Sequence, residues 1–173
     1  MGVTGSIAAY KSADILRGLQ EKGLAVSVIM TREAEHFLTP LTLSSLCAGK
    51  IYRGMFEKDS HPEEMPHIRL AEDAYALLIA PATANIIAKL AHGFADDLLT
   101  CTILGTKAPV LIAPAMNTEM YKNKVVQENC ERLKNLGFHF ISPKFGKLAC
   151  GTVGEGHIAD EETIIKTVLR ILK

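Results

Sequence analysis

Short apolar runs alternate with segments of helical character along almost the whole chain. The clearest runs are residues 25–30, 75–80 and 110–113, and a shorter one lies at 138–141. Continuous apolar strands separated by helices are typical of a parallel sheet whose two faces are both covered. We therefore predict an α/β fold with a doubly wound parallel sheet, in a flavodoxin-like or Rossmann-like three-layer α/β/α arrangement.

The predicted sheet has five strands, because residues 2–5 resemble the end of a further strand before the four runs. In a doubly wound sheet this first strand is central, so we expect the order 2-1-3-4-5. The strand is either very short or lacks its beginning in this sequence. Loops are expected at 49–66 and at the glycine-rich stretch 143–156. Helices are expected in six segments: residues 6–22, 31–48 with a break at Pro40, 68–73, a helix ending at His92, 118–136 and 161–172 capped by Asp160.

Length and charge exclude several classes of protein. A chain of 173 residues suffices for one domain, so residues 1–173 are predicted to form a single domain. The 19 basic residues balance the 19 acidic ones, and this net charge of 0 argues against a nucleic-acid-binding surface. No apolar run approaches the roughly 20 residues of a membrane helix, and no signal peptide is recognisable. We expect a cytoplasmic protein without a membrane partner.

Cysteine and histidine spacing argues against a disulfide framework and against a metal site. None of the four cysteines belongs to a CxxC pair, and their spacings are irregular: Cys47, Cys101, Cys130 and Cys150. Reduced thiols are therefore expected. His61 and His67 resemble a metal-binding pair, but no third ligand has a fitting spacing, so no metal is predicted.

Polar and glycine-containing segments follow each predicted strand. They are residues 4–6, Thr31, 81–85, 114–117 and the loop 147–156. Parallel strands end at the same edge of a sheet, which is where open α/β sheets bind ligands. The sequence therefore predicts that these segments converge on a small-molecule site at the carboxyl edge.

Two of these segments suit a phosphate group. Gly5 and Ser6 begin a predicted helix, where backbone N–H groups, a hydroxyl and the helix dipole favour an anion. Thr83 and Asn85 offer a hydroxyl and an amide at the start of another helix. Helix capping is the alternative interpretation for these side chains. The chain has no GxGxxG or GxxxxGK[ST] motif, which favours a mononucleotide-type cofactor over a dinucleotide.

Three further residues are candidates for chemistry. Asn117 has Met120 and Tyr121 close by in sequence, a combination that suits a flat ligand, although Asn117 also fits a helix N-cap. Cys150 lies in a glycine-rich stretch typical of a lid that carries a reactive group, and a buried structural cysteine is the alternative. His67 lies outside the strands, where a structural or surface role is the commoner one for a lone histidine.

Three motifs together resemble those of the homo-oligomeric flavin-containing cysteine decarboxylases. They are Pro-Ala-Thr-Ala-Asn at 81–85, Pro-Ala-Met-Asn-Thr-Glu-Met-Tyr at 114–121 and the loop around Cys150, in the family's order. The resemblance covers nearly the whole chain. Two positions depart from the family pattern: Tyr121 stands where tryptophan is usual, and Gly156-His157-Ile158 stands where glycine-arginine-methionine is usual.

The resemblance implies an FMN cofactor at a subunit interface of a homo-oligomer, either a trimer or a dodecamer of trimers. Contacts to the flavin are implied for nine residues: Gly5, Ser6, Ile7, Thr31, Phe37, Thr83, Ala84, Asn85 and Ile86. Catalytic roles are implied for His67, for Asn117 as the residue that binds the substrate carboxylate, and for Cys150 as the proton donor. Substrate contacts are implied for Asn117, Met120, Ala149 and Cys150.

The activity implied by the resemblance is decarboxylation of phosphopantothenoylcysteine to phosphopantetheine, in coenzyme A biosynthesis. Oxidation of the thiol-bearing carbon by the flavin allows CO2 to leave and gives an ene-thiol. The reduced flavin then returns the hydride, and Cys150 donates the proton to the neighbouring carbon. The chain is too short to include a fused synthetase half, so a free-standing lyase is expected. Three alternatives stay open: a relative that acts on C-terminal cysteines of peptides, a flavin prenyltransferase, and a non-catalytic flavin-binding regulator.

Overall fold

The computed structural model describes residues 1–56, 65–147, 151 and 153–173. Three residues considered above, His61, Ala149 and Cys150, lie outside the described residues. The described residues form one parallel sheet covered by helices and a separate two-stranded hairpin. Within them, no helix combines the length and the apolar character needed to cross a membrane.

The parallel sheet has six strands. Their bounds are β1 Gly2–Val3, β2 Val28–Met30, β3 Ile51–Tyr52, β4 Leu77–Ala82, β5 Val110–Pro114 and β6 His139–Phe140. Their order is β3-β2-β1-β4-β5-β6, and every neighbouring pair is parallel. The doubly wound sheet and the relative order of the five predicted strands are confirmed. The predicted number of strands is wrong, because Ile51–Tyr52 pairs with β2 and extends the sheet at one edge.

Eight α-helices accompany the sheet within the described residues. Their bounds are α1 Lys11–Glu21, α2 Pro40–Leu46, α3 Pro66–Glu72, α4 Ala84–Ala91, α5 Leu98–Gly105, α6 Thr118–Lys122, α7 Lys124–Asn135 and α8 Glu161–Ile171. Two turns of 3-10 helix, Ile7–Tyr10 and Ala34–His36, precede α1 and α2. Helices α1, α2 and α8 pack on one face of the sheet, and α3, α4, α5 and α7 pack on the other. This packing confirms the predicted three-layer α/β/α arrangement.

Strand residues alternate between the two cores, as the pleat of a strand requires. In β4, Leu78 and Ala80 pack on the side of α1, whereas Leu77 and Ile79 pack on the side of α4. All six residues of β4 are buried. Burial on both faces explains why the strands are apolar without alternation, which is the pattern that predicted a parallel sheet.

Helix α5 is absent from the sequence-based prediction. Five of its eight residues are buried: Leu98, Leu99, Thr100, Thr102 and Ile103. The helix therefore lacks the broad polar face that produces a 3.6-residue hydrophobic pattern. Its packing is close, since a Cβ on Gly2 of the central strand would lie 2.5 Å from Leu99 Cδ1.

Two predicted helices are shorter or more divided in the structure. The segment 118–136 is two helices, because the backbone of Asn123 is extended and its Oδ1 accepts a 3.0 Å hydrogen bond from the Val125 N–H. The segment 31–48 is helical only at Ala34–His36 and in α2. The predicted restart at Pro40 is confirmed, and Thr39 caps that helix.

The predicted glycine-rich loop at 143–156 contains an antiparallel hairpin instead. Strand β7 (Lys144–Lys147) pairs with β8 (Val153–His157). Asp160 stands at the N-cap of α8 as predicted, but its side chain makes no capping bond. Its carboxylate pairs with the ammonium of Lys144, and this pairing keeps the pKa of Asp160 below its usual value. The hairpin is thereby joined to the start of α8.

Candidate active site

A cleft of about 280 Å³, which we call the edge cleft, opens at the carboxyl ends of β1, β2, β4 and β5. The segments that follow four of the predicted strands meet here, at the edge where open α/β sheets bind ligands. The cleft is lined by Thr4, Gly5, Ser6, Thr31, Glu33, Thr83, Ala84, Asn85, Ile86, Lys89, Asp97, Ala115, Met116 and Met120.

The hydroxyl of Thr4 joins the ends of the two central strands. Its Oγ1 donates a 2.7 Å hydrogen bond to the carbonyl of Pro81 and accepts a 3.1 Å bond from the Thr83 N–H. Thr4 is 2 % exposed, so this hydroxyl satisfies two polar backbone groups away from water. The Ala80–Pro81 peptide bond is cis. The turn that follows β4 is thereby fixed relative to the turn that follows β1.

Ser6 and Thr83 cap the two helical turns that begin at the cleft. The Ser6 Oγ accepts a bond of 3.3 Å from the Ala8 N–H, and the Thr83 Oγ1 accepts one of 3.3 Å from the Ile86 N–H. The capping interpretation is therefore confirmed for both residues. Both also line the cleft. Since the first N–H groups of a helix have no acceptor within it, the two turns present donors and a positive dipole end to the cleft.

Gly5 is required by a close approach between two strand ends. A Cβ at this position would lie 2.4 Å from Glu33 Cβ and 3.1 Å from the Glu33 carbonyl carbon. Both residues line the edge cleft, so a larger residue at position 5 would displace the segment after β2. The sequence predicts Gly5 as part of a phosphate-binding turn. The structure adds a steric reason for glycine at this position, which is the close approach to Glu33.

Part of the lining of the edge cleft is charged. Lys89 on α4 donates from Nζ to the carboxylates of Asp96 and Asp97, over 2.8 Å and 3.2 Å. Burial disfavours the charged ammonium, but the two carboxylates outweigh that effect and raise the pKa of Lys89 above its usual value. Sequence reasoning missed Lys89 and Asp97. The available signal was the spacing of four residues between Asn85 and Lys89, which places both on one face of a helix.

A further wall of the cleft consists of Ala115, Met116 and Met120. Asn117 caps α6 between these residues, since its Oδ1 accepts a 2.8 Å bond from the Glu119 N–H. The capping role considered for Asn117 is thus confirmed. Its side chain does not line the edge cleft itself, although Met116 immediately before it does.

The hairpin of β7 and β8 packs directly on this wall. The Met116 N–H donates a 3.0 Å bond to the Gly156 carbonyl, and a Cβ on Gly156 would lie 2.3 Å from the Met116 oxygen. A Cβ on Gly154 would lie 2.5 Å from Thr118 Oγ1. These two glycines therefore permit close packing. Cys150 lies in the sequence between β7 and β8, outside the described residues.

Tyr121, which departs from the family's tryptophan, lies at the end of α6. The side-chain amide of Gln127 donates a hydrogen bond to its backbone carbonyl. Burial raises the pKa of the Tyr121 phenol above its usual value. The phenol therefore stays protonated at neutral pH.

The structure brings together eight of the predicted site residues in the edge cleft: Gly5, Ser6, Thr31, Thr83, Ala84, Asn85, Ile86 and Met120. Four others do not line it. Ile7 and Phe37 are 58 % and 48 % exposed, and His67 lies near the start of α3, which packs against α5. Asn117 is the fourth, and its side chain caps α6. Ala149 and Cys150 lie outside the described residues.

Comparison with known proteins places the chain in a family. All of residues 1–173 match the Flavoprotein family. A probable phosphopantothenoylcysteine decarboxylase of Streptococcus mutans is 45% identical over 97% of this chain and 94% of its own length. The coenzyme A biosynthesis bifunctional protein CoaBC of Bacillus subtilis is also 45% identical, over 95% of this chain. This chain spans only 40% of the bifunctional relative.

Solved structures agree with these sequence relatives. A mutant PPC decarboxylase in complex with pantothenoylaminoethenethiol has a TM-score of 0.86 and 32% identity, over 98% of this chain and 94% of that one. The FMN-dependent cysteine decarboxylase SpaF has a TM-score of 0.84 and 28% identity, over 99% and 95% of the two chains. The likeness therefore holds over the complete length in both sequence and fold. The chain belongs to the Flavoprotein family.

Proposed function

We propose that this chain binds FMN in the edge cleft and decarboxylates phosphopantothenoylcysteine to phosphopantetheine, a step of coenzyme A biosynthesis. The observation that carries the proposal is the meeting of the Thr4–Ser6 turn, the Thr83–Ile86 turn and the Ala115–Met120 wall in one cleft. The same reaction is named for the Streptococcus mutans relative, whose length this chain almost completely covers. The proposed reaction makes this chain a carboxy-lyase.

The donor set of the edge cleft fits a flavin mononucleotide. Hydroxyls of Ser6 and Thr83 and the N–H groups of two helical starts suit a phosphate. The methionine side chains of Met116 and Met120 suit the flat apolar ring, because thioethers pack well against aromatic systems. The close approach at Gly5 brings the turn after β1 against the segment after β2 at this cleft, and a Cβ there would force these two segments apart. The residues present therefore fit the cofactor.

Loss of CO2 from a cysteine carboxylate needs an electron sink, and a bound flavin supplies one by accepting a hydride from the thiol-bearing carbon and returning it after CO2 has left. The chain's own groups position the substrate and move the last proton. The Glu119 N–H holds the Oδ1 of Asn117, and we assign the binding of the substrate carboxylate to the Asn117 side-chain amide. We assign the final protonation of carbon to the Cys150 thiol.

His67 and Phe37 require a second copy of the chain in this proposal. Neither lines the edge cleft of its own chain, whereas the family resemblance gives both a role at the flavin. Apolar side chains are exposed beside the cleft, since Ile7 is 58 % exposed and Met120 is 49 % exposed. We infer a homo-oligomer, a trimer or a dodecamer of trimers, in which another copy brings its His67 and Phe37 to the cofactor. His67 then acts in the early steps of the reaction.

The experiment is mass spectrometry of phosphopantothenoylcysteine incubated with the purified, FMN-loaded protein. We expect phosphopantetheine to appear. A Cys150→Ser variant is expected to bind FMN, release CO2 and accumulate the ene-thiol, which is two hydrogens lighter than the product. Unreacted substrate with FMN bound would contradict the proposed substrate. Conversion of a peptide with a C-terminal cysteine, tested in parallel, would then identify the peptide-acting alternative.

A further inference from the structure

The charges around the edge cleft are unfavourable for a phosphate at first sight. Among the described residues that line it there is one cation, Lys89, and there are two carboxylates, Glu33 and Asp97. A flavin phosphate adds about two further negative charges near neutral pH. The cleft that is proposed to bind this dianion therefore has more acidic than basic groups of its own.

Lys89 points toward the cleft but is already engaged. Lys89 and Asn85 are four residues apart on α4 and therefore share one face of this helix, and both line the cleft. Its Nζ lies 2.8 Å from Asp96 Oδ2 and 3.2 Å from Asp97 Oδ2. The side chains of Lys89 and Asp97 are 24% and 32% exposed, compared with 54% for Asp96. Lys89 and Asp97, the two less exposed of these three side chains, are the ones that line the cleft.

Asp97 has a structural reason to be at this position. Its Oδ1 accepts a 2.8 Å bond from the Thr100 N–H, and the Thr100 hydroxyl accepts a 3.1 Å bond from the Asp97 N–H. This reciprocal capping box begins α5, which is mostly buried under the sheet. The fold therefore places a carboxylate at the cleft to start a core helix. A carboxylate in that place repels an anionic ligand unless a cation neutralises it.

We propose that Lys89 is a positioning residue that acts through Asp97: it neutralises the carboxylate that α5 needs, so that the edge cleft can accept the flavin phosphate. Lys89 does not itself bind the phosphate in this account. The phosphate is bound by neutral donors, the hydroxyls and N–H groups of the two helical turns. This inference rests on the proposed binding of FMN in the edge cleft.

The test compares FMN with riboflavin, which lacks the phosphate, in binding titrations followed by flavin fluorescence at low ionic strength. In Lys89→Met, we expect the Kd for FMN to rise about tenfold, because an unpaired carboxylate then faces the phosphate. The Kd for riboflavin is expected to change by less than about twofold. Lys89→Arg keeps the charge and is expected to bind FMN almost as the parent does.

A second substitution separates the possible roles of Lys89. Asparagine caps helices as well as aspartate does, so Asp97→Asn removes the charge and retains the capping group. Asp97→Asn alone is expected to bind FMN at least as tightly as the parent. In the double variant, Lys89→Met with Asp97→Asn, the Kd for FMN is expected to return to within about threefold of the parent.

The matched control is Lys166→Met, because Lys166 forms an ion pair with Glu162 at 2.7 Å on α8, away from the cleft. Its FMN and riboflavin affinities are expected to be unchanged.

A double variant as weak as Lys89→Met would overturn the proposal, since Lys89 would then bind the phosphate directly. Equal losses of FMN and riboflavin would also overturn it, in favour of a purely structural role. A parent protein that binds riboflavin and FMN equally would remove the proposed phosphate site, and one that binds neither would remove the proposed function itself.

Discussion

The two edges of the sheet each carry a cleft, and the two clefts differ in chemistry. The edge cleft at the carboxyl ends of the strands has about 280 Å³ and is lined by hydroxyls, a lysine and two carboxylates. A second cleft at the amino ends, which we call the amino-edge cleft, is larger at about 480 Å³. It is lined mainly by apolar residues of segments 19–29 and 70–78. None of the predicted site residues belongs to it.

The difference follows from the direction of the chain. Parallel strands lead into helix N-termini at their carboxyl ends, and those helix ends present N–H donors and positive dipoles. The amino ends of the strands follow helix C-termini, which present carbonyl oxygens. Helix ends therefore favour a phosphate-bearing cofactor at the carboxyl edge. The larger cavity is consequently the poorer candidate for the flavin.

The largest expected effect is on substrate binding at the carboxyl edge. Asn117→Asp places a negative charge where the substrate carboxylate is proposed to bind, and like charges in contact cost several kcal/mol. We expect kcat/KM for phosphopantothenoylcysteine to fall about 1000-fold, with FMN affinity nearly unchanged. Steady-state kinetics measures it. The control is Asn123→Asp, since Asn123 caps α7 with the same kind of side-chain bond and has no proposed contact with the substrate. Unchanged kcat/KM in Asn117→Asp would remove Asn117 from the substrate site.

A smaller loss is expected when the cleft is forced open at Gly5. In Gly5→Ala the new Cβ would meet Glu33 at 2.4 Å, so the segments after β1 and β2 must separate. Overpacking of this kind costs typically 1–3 kcal/mol, and we expect the Kd for FMN to rise up to about 100-fold. In the control Gly105→Ala, the new Cβ meets only Ala71 Cβ at an ordinary 3.5 Å. Equal FMN affinities of the two variants would contradict the location of the flavin.

Sequence patterns predicted the sheet and the edge that carries the edge cleft, because both features depend on residues that are close together in the sequence. Each residue of β4 is buried, so the strand appears as an apolar run without any knowledge of its neighbours. The turn 81–85 follows that run directly, and the parallel topology then brings it to the other strand ends. Eight predicted residues consequently meet in the edge cleft.

Features that depend on distant contacts could not be predicted in this way. Strand β3 has only two residues, and its pairing with β2 defines it. The charged group of Lys89 and Asp97 exists because α4 packs beside α5, and α5 itself has no amphipathic pattern. The steric need for Gly5 arises from Glu33, 28 positions later in the chain.

A third prediction concerns stability and the link between the two turns. Thr4→Val removes the hydroxyl that bonds Pro81 and Thr83, which leaves a buried carbonyl and a partly buried N–H without this partner. We expect the free energy of unfolding to fall by about 2–3 kcal/mol in denaturant titrations. The control is Thr102→Val, whose equally buried hydroxyl bonds the Leu98 carbonyl one helical turn earlier. A loss in Thr4→Val no greater than in this control would show that the hydroxyl does not join the turns.

The smallest effect is expected at the amino edge. Ala74→Leu adds apolar volume to the amino-edge cleft, where Ala74 is part of the lining. We expect FMN affinity and kcat to stay within about twofold of the parent, because changes far from a site are nearly independent of it. A large loss of FMN affinity, with an unchanged melting temperature, would reverse the assignment of the two clefts.

A crystal structure of the protein with FMN bound would show directly whether the edge cleft is the flavin site. We expect flavin density in the edge cleft, with the phosphate within hydrogen-bonding distance of the Ser6 and Thr83 hydroxyls and the ring beside Met116 or Met120. Density in the amino-edge cleft, or a phosphate that contacts neither turn, would contradict it.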